Sequence, residues 1–433
     1  MDKRAKRIDR AQNIAILFLC ASFVFLLSQT QLFAGREGGA LSSAVRGWFS
    51  GEEVPAAEDT AALTALSVPV RIVLTNELLR SGLDALTTTD DRFEAVGSLL
   101  GEAVGSAHSI STVSEADFLA ALDGSGIYFE FSSALPLEVL AARLGVASPT
   151  TRHLDVRRCL LRIDSGENAL FYLQDPQNGF FRFSTAVRSD LLSDYLETQE
   201  GWPSVEFAFA LGEDYAALSP YTLVLSAPSA RYELTAANAL SDYSTEELLR
   251  RAEFNPHANR YVESSGTIVV VEGERKLYLH PDGRLTYSGG HIGGGSLFTV
   301  PASDAERPSR AEYCVTARAL LGSLVQGRTG DAALFLSGAA SDESGCTVYF
   351  DYMVNGTPLR FADGTHAAEV HLEGRSITAF TLRLRRYTLT ERSTALLPTA
   401  LARTIAQRYP NGELTIAYID PYGDTVSASW IAN

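Results

Sequence analysis

Apolar residues recur along this chain with two periods, and the switches between them mark out its elements. A period of two makes a strand, and apolar spacing near 3.6 makes an amphipathic helix. The first β-rich run is Val68-Pro69-Val70-Arg71-Ile72-Val73-Leu74. Helical spacing follows at Phe93, Val96, Leu99, Leu100 and Ala103, which predicts a helix over 91–104. A second helix is expected over 114–122, with Ser114 as its cap and Asp117 three residues on. Gly126-Ile127-Tyr128-Phe129-Glu130-Phe131 reads as a strand, followed by a helix over 136–144 with Pro136 in its first turn. Strands are expected at 159–163 paired with 169–173, and at 180–184. A helix over 187–197 and a strand at 221–226 come next. The helix over 244–253 closes this half, with Ser244 and Glu247 spaced as a capping box.

The second half opens at Asn259-Arg260-Tyr261-Val262-Glu263 and continues as a meander. Short strands at 267–272, 276–279 and 285–287 are separated by Glu272-Gly273 and Pro281-Asp282-Gly283 turns. The order then looks repeated. A helix over 310–325 precedes strands at 332–336 and 347–354, and a helix over 393–408 precedes strands at 414–419 and 425–430. Between them, 367–372 and 377–389 form a hairpin through Glu373-Gly374-Arg375. Helix–strand–strand units place helices on one face of an antiparallel sheet, so the expected fold class is α+β with two mixed lobes, 67–254 and 255–433.

Ahead of these lobes the pattern changes. Ile14 to Leu27 is an apolar run behind a tail, residues 1–12, that holds five basic and two acidic residues. Basic residues beside a membrane segment stay cytoplasmic, so the expected topology is N-terminus inside and the bulk of the chain extracytoplasmic. Fourteen such residues also fit a secretory h-region. Two observations favour a retained transmembrane anchor over 13–34. The run extends through Leu32-Phe33-Ala34 towards the roughly 20 residues that a spanning helix needs. No small-x-small cleavage site follows, because Leu32 stands where Ala34 would want a small partner. Residues 35–66, a mix of Gly, Ala, Ser and acids, read as a linker.

Composition narrows the function classes. The chain has 433 residues and a formal net charge of −16, which disfavours nucleic acid and anionic lipid as partners of the ectodomain. Cys159, Cys314 and Cys346 are too widely spaced for a disulfide framework or a metal knuckle and read as small core residues. A Cys314–Cys346 bridge is the alternative. The seven histidines form no HExxH, and no GxSxG occurs. His366 and His371, five apart in an expected strand, would point to opposite faces and share no metal. The Gly-rich stretch 288–296 precedes a strand, not a helix, and so reads as a hairpin loop and not a phosphate cradle. Asp90-Asp91 reads as a helix cap, and Asp420 and Asp424 as turn residues around Pro421-Tyr422-Gly423. Asn355-Gly356-Thr357 is both a sequon and a turn signal. Tyr349, Phe350, Tyr352, Tyr418, Tyr422 and Trp430 could form a glycan platform, although strand alternation makes half of them core. No catalytic residue, cofactor or metal site is predicted.

Several strand and turn stretches, taken in order, resemble a known family. They are Arg260-Tyr261-Val262-Glu263 through Gly266-Thr267-Ile268-Val269-Val270-Val271-Glu272 with Leu277-Tyr278-Leu279 and Asp282-Gly283; the run from Val348 through Asp351-Tyr352 to Asn355-Gly356-Thr357-Pro358-Leu359; the hairpin over 367–388; and Ala417-Tyr418-Ile419-Asp420-Pro421 with Ser429-Trp430-Ile431. This lobe resembles the YycH/YycI proteins of Gram-positive bacteria, membrane-anchored accessory proteins of the cell-wall-regulating (WalK/YycG-type) sensor histidine kinase. Ile127-Tyr128-Phe129-Glu130-Phe131 and Leu135-Pro136-Leu137 look like the lobe that distinguishes YycH from the shorter YycI, so the C-terminal lobe is expected to be YycI-like. The chain departs from the pattern at Ala428-Ser429-Trp430, where a Pro is expected before the Trp.

The resemblance implies a non-enzymatic regulator that contacts a sensor histidine kinase in the same plasma membrane, with a YycI-like protein as a second candidate partner. Ala15, Leu19 and Ser22 fall on one face of the anchor helix, with Phe18 and Leu26 flanking it, and small residues permit close helix approach in lipid. That face is the candidate kinase contact; a lipid-facing anchor without specificity is the alternative. An anchored extracytoplasmic protein that binds a cell-wall fragment or peptide is the competing function, and an envelope hydrolase the third.

Overall fold

The computed structural model describes residues 68–76, 79–84, 91–225, 230–289, 297–301, 307–398, 404 and 413–432. They belong to one compact unit, Glu58–Asn433. The first half runs β1 (Arg71–Asn76), β2 (Leu79–Leu83), α1 (Asp91–Ser106), β3 (His108–Val113), α2 (Glu115–Leu122), β4 (Gly126–Pro136), α3 (Leu137–Arg143), β5 (Asp155–Arg162), β6 (Asn168–Asp175), β7 (Gly179–Arg188) and α4 (Ser189–Glu197). The small strands β8 (Val205–Phe207) and β9 (Leu223–Leu225) follow, then β10 (Arg231–Asn238) and α5 (Thr245–Arg251).

The second half begins with β11 (Asn259–Val262), β12 (Ile268–Glu272), β13 (Arg275–Leu279), β14 (Arg284–Ser288) and β15 (Leu297–Thr299). Helix α6 (Arg310–Val325) leads to β16 (Ala332–Ser341), β17 (Gly345–Val354), β18 (Thr357–Phe361), β19 (Ala368–Glu373), β20 (Ser376–Arg383) and β21 (Arg385–Thr394). The chain closes with β22 (Leu414–Asp420), β23 (Thr425–Val426) and β24 (Ala428–Ala432). Among the described residues no helix is long and apolar enough to cross a membrane. The expected anchor over 13–34 lies outside them.

The seven-stranded sheet has the order β2-β1-β4-β5-β6-β7-β3 and is antiparallel throughout. Both of its faces are covered, which explains its near-continuous apolar strands. Ile72, Leu74, Ile127, Phe129, Cys159, Leu161, Phe171 and Leu173 pack under α1, α3 and α4. The alternate residues Val73, Tyr128, Leu160 and Tyr172 meet Phe118 and Leu122 of α2, together with Phe207, Tyr221 and Leu223. Helix α2 starts as its sequence predicts. Ser114 Oγ accepts the Asp117 N–H at 3.1 Å, and Asp117 accepts the Ser114 N–H at 3.0 Å.

The twelve-stranded sheet carries the path β11-β12-β13-β14-β20-β19-β17-β18-β22-β24, with β15 on β20 and β16 on β17. Only β18–β22 is parallel. Helix α6 buries Tyr313, Cys314, Ala317, Leu320, Leu321 and Leu324 at helical spacing and touches α3, α5, β16 and β17. Gly283, in the expected Pro281-Asp282-Gly283 turn, has φ +90°, and a Cβ there would lie 2.6 Å from Asn238 Oδ1. Only glycine fits.

Four expectations are corrected. The strand expected over 377–389 is two strands in two sheets. Leu384 breaks the ladder by donating its N–H to Gly283 O at 2.9 Å and accepting from Ala239 N at 3.1 Å. Beyond it, β21 pairs with β10, a strand that the apolar pattern does not reveal, and β10 also pairs with β23. The strand expected over 425–430 divides in the same way, β23 joining β10 and β24 joining β22. The helix expected over 393–408 cannot begin at 393, because Ser393 and Thr394 pair with Tyr232 and Arg231 in β21. Its remainder lies largely outside the described residues. Finally, Ser244 accepts the Glu247 N–H at 3.1 Å, but the Glu247 carboxylate binds Arg251 at 2.8 Å and Arg328 at 2.9 Å, so the box is not closed.

Candidate functional site

A row of charge crosses the α2-side face of the seven-stranded sheet. The register sets Arg71 against Glu130 and Glu130 against Arg158, so three neighbouring strands carry Arg–Glu–Arg on one face. Glu130 has no exposed side-chain surface. Arg71 Nη1 donates to its two oxygens at 3.1 and 3.0 Å, and Tyr128 OH donates at 3.2 Å. Arg157 and Arg158 stand 3.3 and 3.5 Å away. Both also reach Glu413, which leads into β22 of the other sheet. Burial alone would raise the Glu413 carboxyl, but Arg158 and Arg157 overcome it and hold it well below the usual carboxylate range. Burial pushes the Tyr128 phenol far up, reinforced by Glu130. Three guanidinium groups therefore share two carboxylates where the two sheets meet.

Next to this row lies a cavity of about 40 Å³. Arg71, Arg157, Arg231, Arg360 and Trp430 are among the residues that line it.

A second buried pair closes the C-terminal end. Asp420 is fully buried, and Arg385 holds it bidentately at 3.0 and 3.2 Å. Tyr387 OH donates to the same carboxylate at 2.7 Å. Asp420 also accepts the Tyr422 N–H at 2.7 Å, the turn role expected of it, so the sequence reading missed only its buried partners. The carbonyl of Asp424 accepts the Ala236 N–H at 2.8 Å.

The other candidate residues disperse. Cys159, Cys314 and Cys346 are free and buried, and burial pushes their thiols up, away from the reactive thiolate. Among the described residues no three His, Cys, Asp or Glu side chains are grouped to hold a metal ion. Phe350, Tyr352 and Tyr418 are core, and Tyr422 stacks on Phe361. Asn355 and Gly356, with φ +45° and +70°, form the tight turn joining β17 to β18. Residues 290–296 of the Gly-rich stretch, Asp90, and Ala15, Phe18, Leu19, Ser22 and Leu26 lie outside the described residues.

His371 bonds Thr347 and Glu369, whereas His366 bonds Asp351 at 3.1 Å and Ser337 at 3.3 Å. The hydrogen bond to Asp351 raises the His366 pKa, against the opposing effect of burial. A raised folded-state pKa gives stability that is complete below the ordinary histidine value of about 6.5 and is lost as pH rises through the folded value. The expected NMR titration midpoint of His366 therefore lies above about 6.5. Asp351→Asn should bring it down; a midpoint that the substitution leaves in place would disprove the pairing.

These features define a class: an α+β protein of two large, mostly antiparallel sheets tied by buried ion pairs. No family model matches the chain, and no curated protein sequence matches it. Among solved structures, the crystal structure of YycH from Bacillus subtilis is similar to it, with a TM-score of 0.56 at 12% identity. The match covers 86% of this chain and 94% of that one. The fold is therefore YycH-like.

Proposed function

We propose that this chain is a non-catalytic, membrane-anchored accessory protein that modulates a sensor histidine kinase controlling cell-wall metabolism. The observation that carries the reading is the YycH-like fold, similar over 86% of the chain. The basic tail and the apolar run from Ile14 support a single anchor with the folded unit on the extracytoplasmic side. A lateral contact changes kinase output only if it favours one kinase conformation over another. In this reading the face Ala15, Leu19 and Ser22, flanked by Phe18 and Leu26, meets a kinase helix, and ectodomain contacts add to it. A YycI-like protein is a further partner.

Co-purification of the full-length protein from its own solubilised membranes tests the proposal. A sensor histidine kinase is expected in the eluate and should be absent when the anchor helix is scrambled. Replacing Ala15, Leu19 and Ser22 together with Phe should lower kinase recovery severalfold at equal membrane abundance, because bulk separates helices that small residues let approach. Unchanged recovery sinks the helix-face contact. If no kinase is recovered with the unaltered anchor, the regulator reading fails.

A further inference from the structure

The cavity beside the Arg–Glu–Arg row carries an excess of positive charge in a strongly acidic chain. Arg71, Arg157, Arg231 and Arg360 line it against Asp84 and Glu130. Arg71 is engaged by Glu130, and Arg231 by Asp84 at 3.3 Å. The Nη2 of Arg157 faces Glu130 and Glu413, while its buried Nη1 has no hydrogen-bond partner. A buried donor left unbonded is costly, so Arg157, a lining residue, gains from an acceptor in the cavity that its guanidinium turns to meet. Arg360, on β18, adds an exposed guanidinium to the lining.

The rest of the wall is largely apolar and includes Leu223, Pro358, Ile416 and Trp430. The Trp430 indole N–H is already donated to Leu397 O at 2.8 Å, so its ring remains as apolar surface. Size limits what enters. One water needs at least about 10–15 Å³ of such space, so about 40 Å³ admits two to four waters or one small oxyanion, not a whole metabolite. Guanidinium donors match the planar oxygens of a carboxylate or the tetrahedral oxygens of a phosphate.

We propose that this cavity binds the oxyanion of a ligand, a carboxylate or a phosphate, whose apolar stem lies against Trp430 and Pro358. The site joins the sheet carrying Arg71 and Arg157 to the sheet carrying Arg360 and Trp430, so its occupant contacts both. The proposal does not rest on the kinase reading, and its test involves no kinase.

The test uses the full-length protein in a neutral detergent, with calorimetry and tryptophan fluorescence as readouts, the share of Trp430 being read by difference against Trp430→Phe. Hexanoate, hexyl phosphate, inorganic phosphate and hexylamine are the probes. Saturable binding of hexanoate or hexyl phosphate is expected, and whichever binds tighter identifies the source of the oxyanion. Inorganic phosphate should bind more weakly and hexylamine not at all. Arg157→Gln and Arg360→Gln should each weaken binding about ten- to hundredfold, the loss of one hydrogen bond to a charged group. Arg157 also supports the ion-pair row, so Arg360→Gln, at an exposed position, is decisive if the first variant fails to fold. Inorganic phosphate binding as tightly as hexyl phosphate would overturn the apolar stem. No saturable binding, equal binding of hexylamine, or binding unchanged by Arg360→Gln would show a cavity that holds only solvent.

Discussion

Replacing Glu130 with Gln is expected to remove about 3–5 kcal/mol of folding free energy, the usual cost of breaking a buried ion pair on one side. The reason lies in what is left behind. Arg71, Arg157 and Arg158 have side chains only 13%, 15% and 5% exposed, so bulk solvent cannot replace the charge of the carboxylate. Gln keeps the shape and one acceptor, but three guanidinium groups would then share the single charge of Glu413. Since a domain is stable by only about 5–15 kcal/mol in total, this one atom exchange should be conspicuous. Urea denaturation should show a lower midpoint at an unchanged slope, which marks lost stability with intact compactness. A loss below about 1 kcal/mol would mean that the arginines relax into solvent, and the row would then not be a buried junction.

The sequence revealed these features unevenly, and the unevenness has a physical cause. Elements built from neighbouring residues were legible. The capping box at Ser114 and Asp117, the stripe Tyr313 to Leu324 of α6 and the turns of the meander are set within a few residues of one another. Strand β10 was not, because few of its residues point inward and its partners β21 and β23 come some 150 to 190 positions later in the chain. The break at Leu384 was hidden for the same reason. The local pattern supports one long strand, and the hydrogen bonds of Leu384 with Gly283 and Ala239 divide it. The candidate site stood half in view. A lone carboxylate inside Ile127-Tyr128-Phe129-Glu130-Phe131 is a buried charge wherever both faces of its sheet are covered, and buried charges need partners. Its partner Arg71, and Glu413, which shares Arg157 with it, lie far away in sequence, and no spacing rule connects them. The order of weak strand and turn motifs pointed to a YycH-like fold, because order survives at 12% identity where individual residues do not.

Asp420→Asn is expected to cost about 3 kcal/mol, and the double variant with Arg385→Met tells why. Asp420 is fully buried, and the Arg385 side chain is only 9% exposed. Asn still accepts a hydrogen bond from Tyr387 or from the Tyr422 N–H, so those bonds are not the main loss. What disappears is the countercharge to a guanidinium that cannot reach water, held at 3.0 and 3.2 Å. Arg385→Met alone should be similarly harmful, since it leaves a buried carboxylate whose remaining donors are neutral. Combined, the two substitutions remove both charges, and a neutral amide facing a thioether suffers neither penalty. The loss in the double variant should therefore fall short of the sum of the single losses by about 1–3 kcal/mol, the range found for residues in one network. Losses that add to within about 0.5 kcal/mol would instead show that the two side chains act independently. Since this pair ties the start of β21 to the end of β22, where the chain leaves β20 of the large sheet to pair with β10, the coupling energy also reports how firmly that exchange of sheets is held.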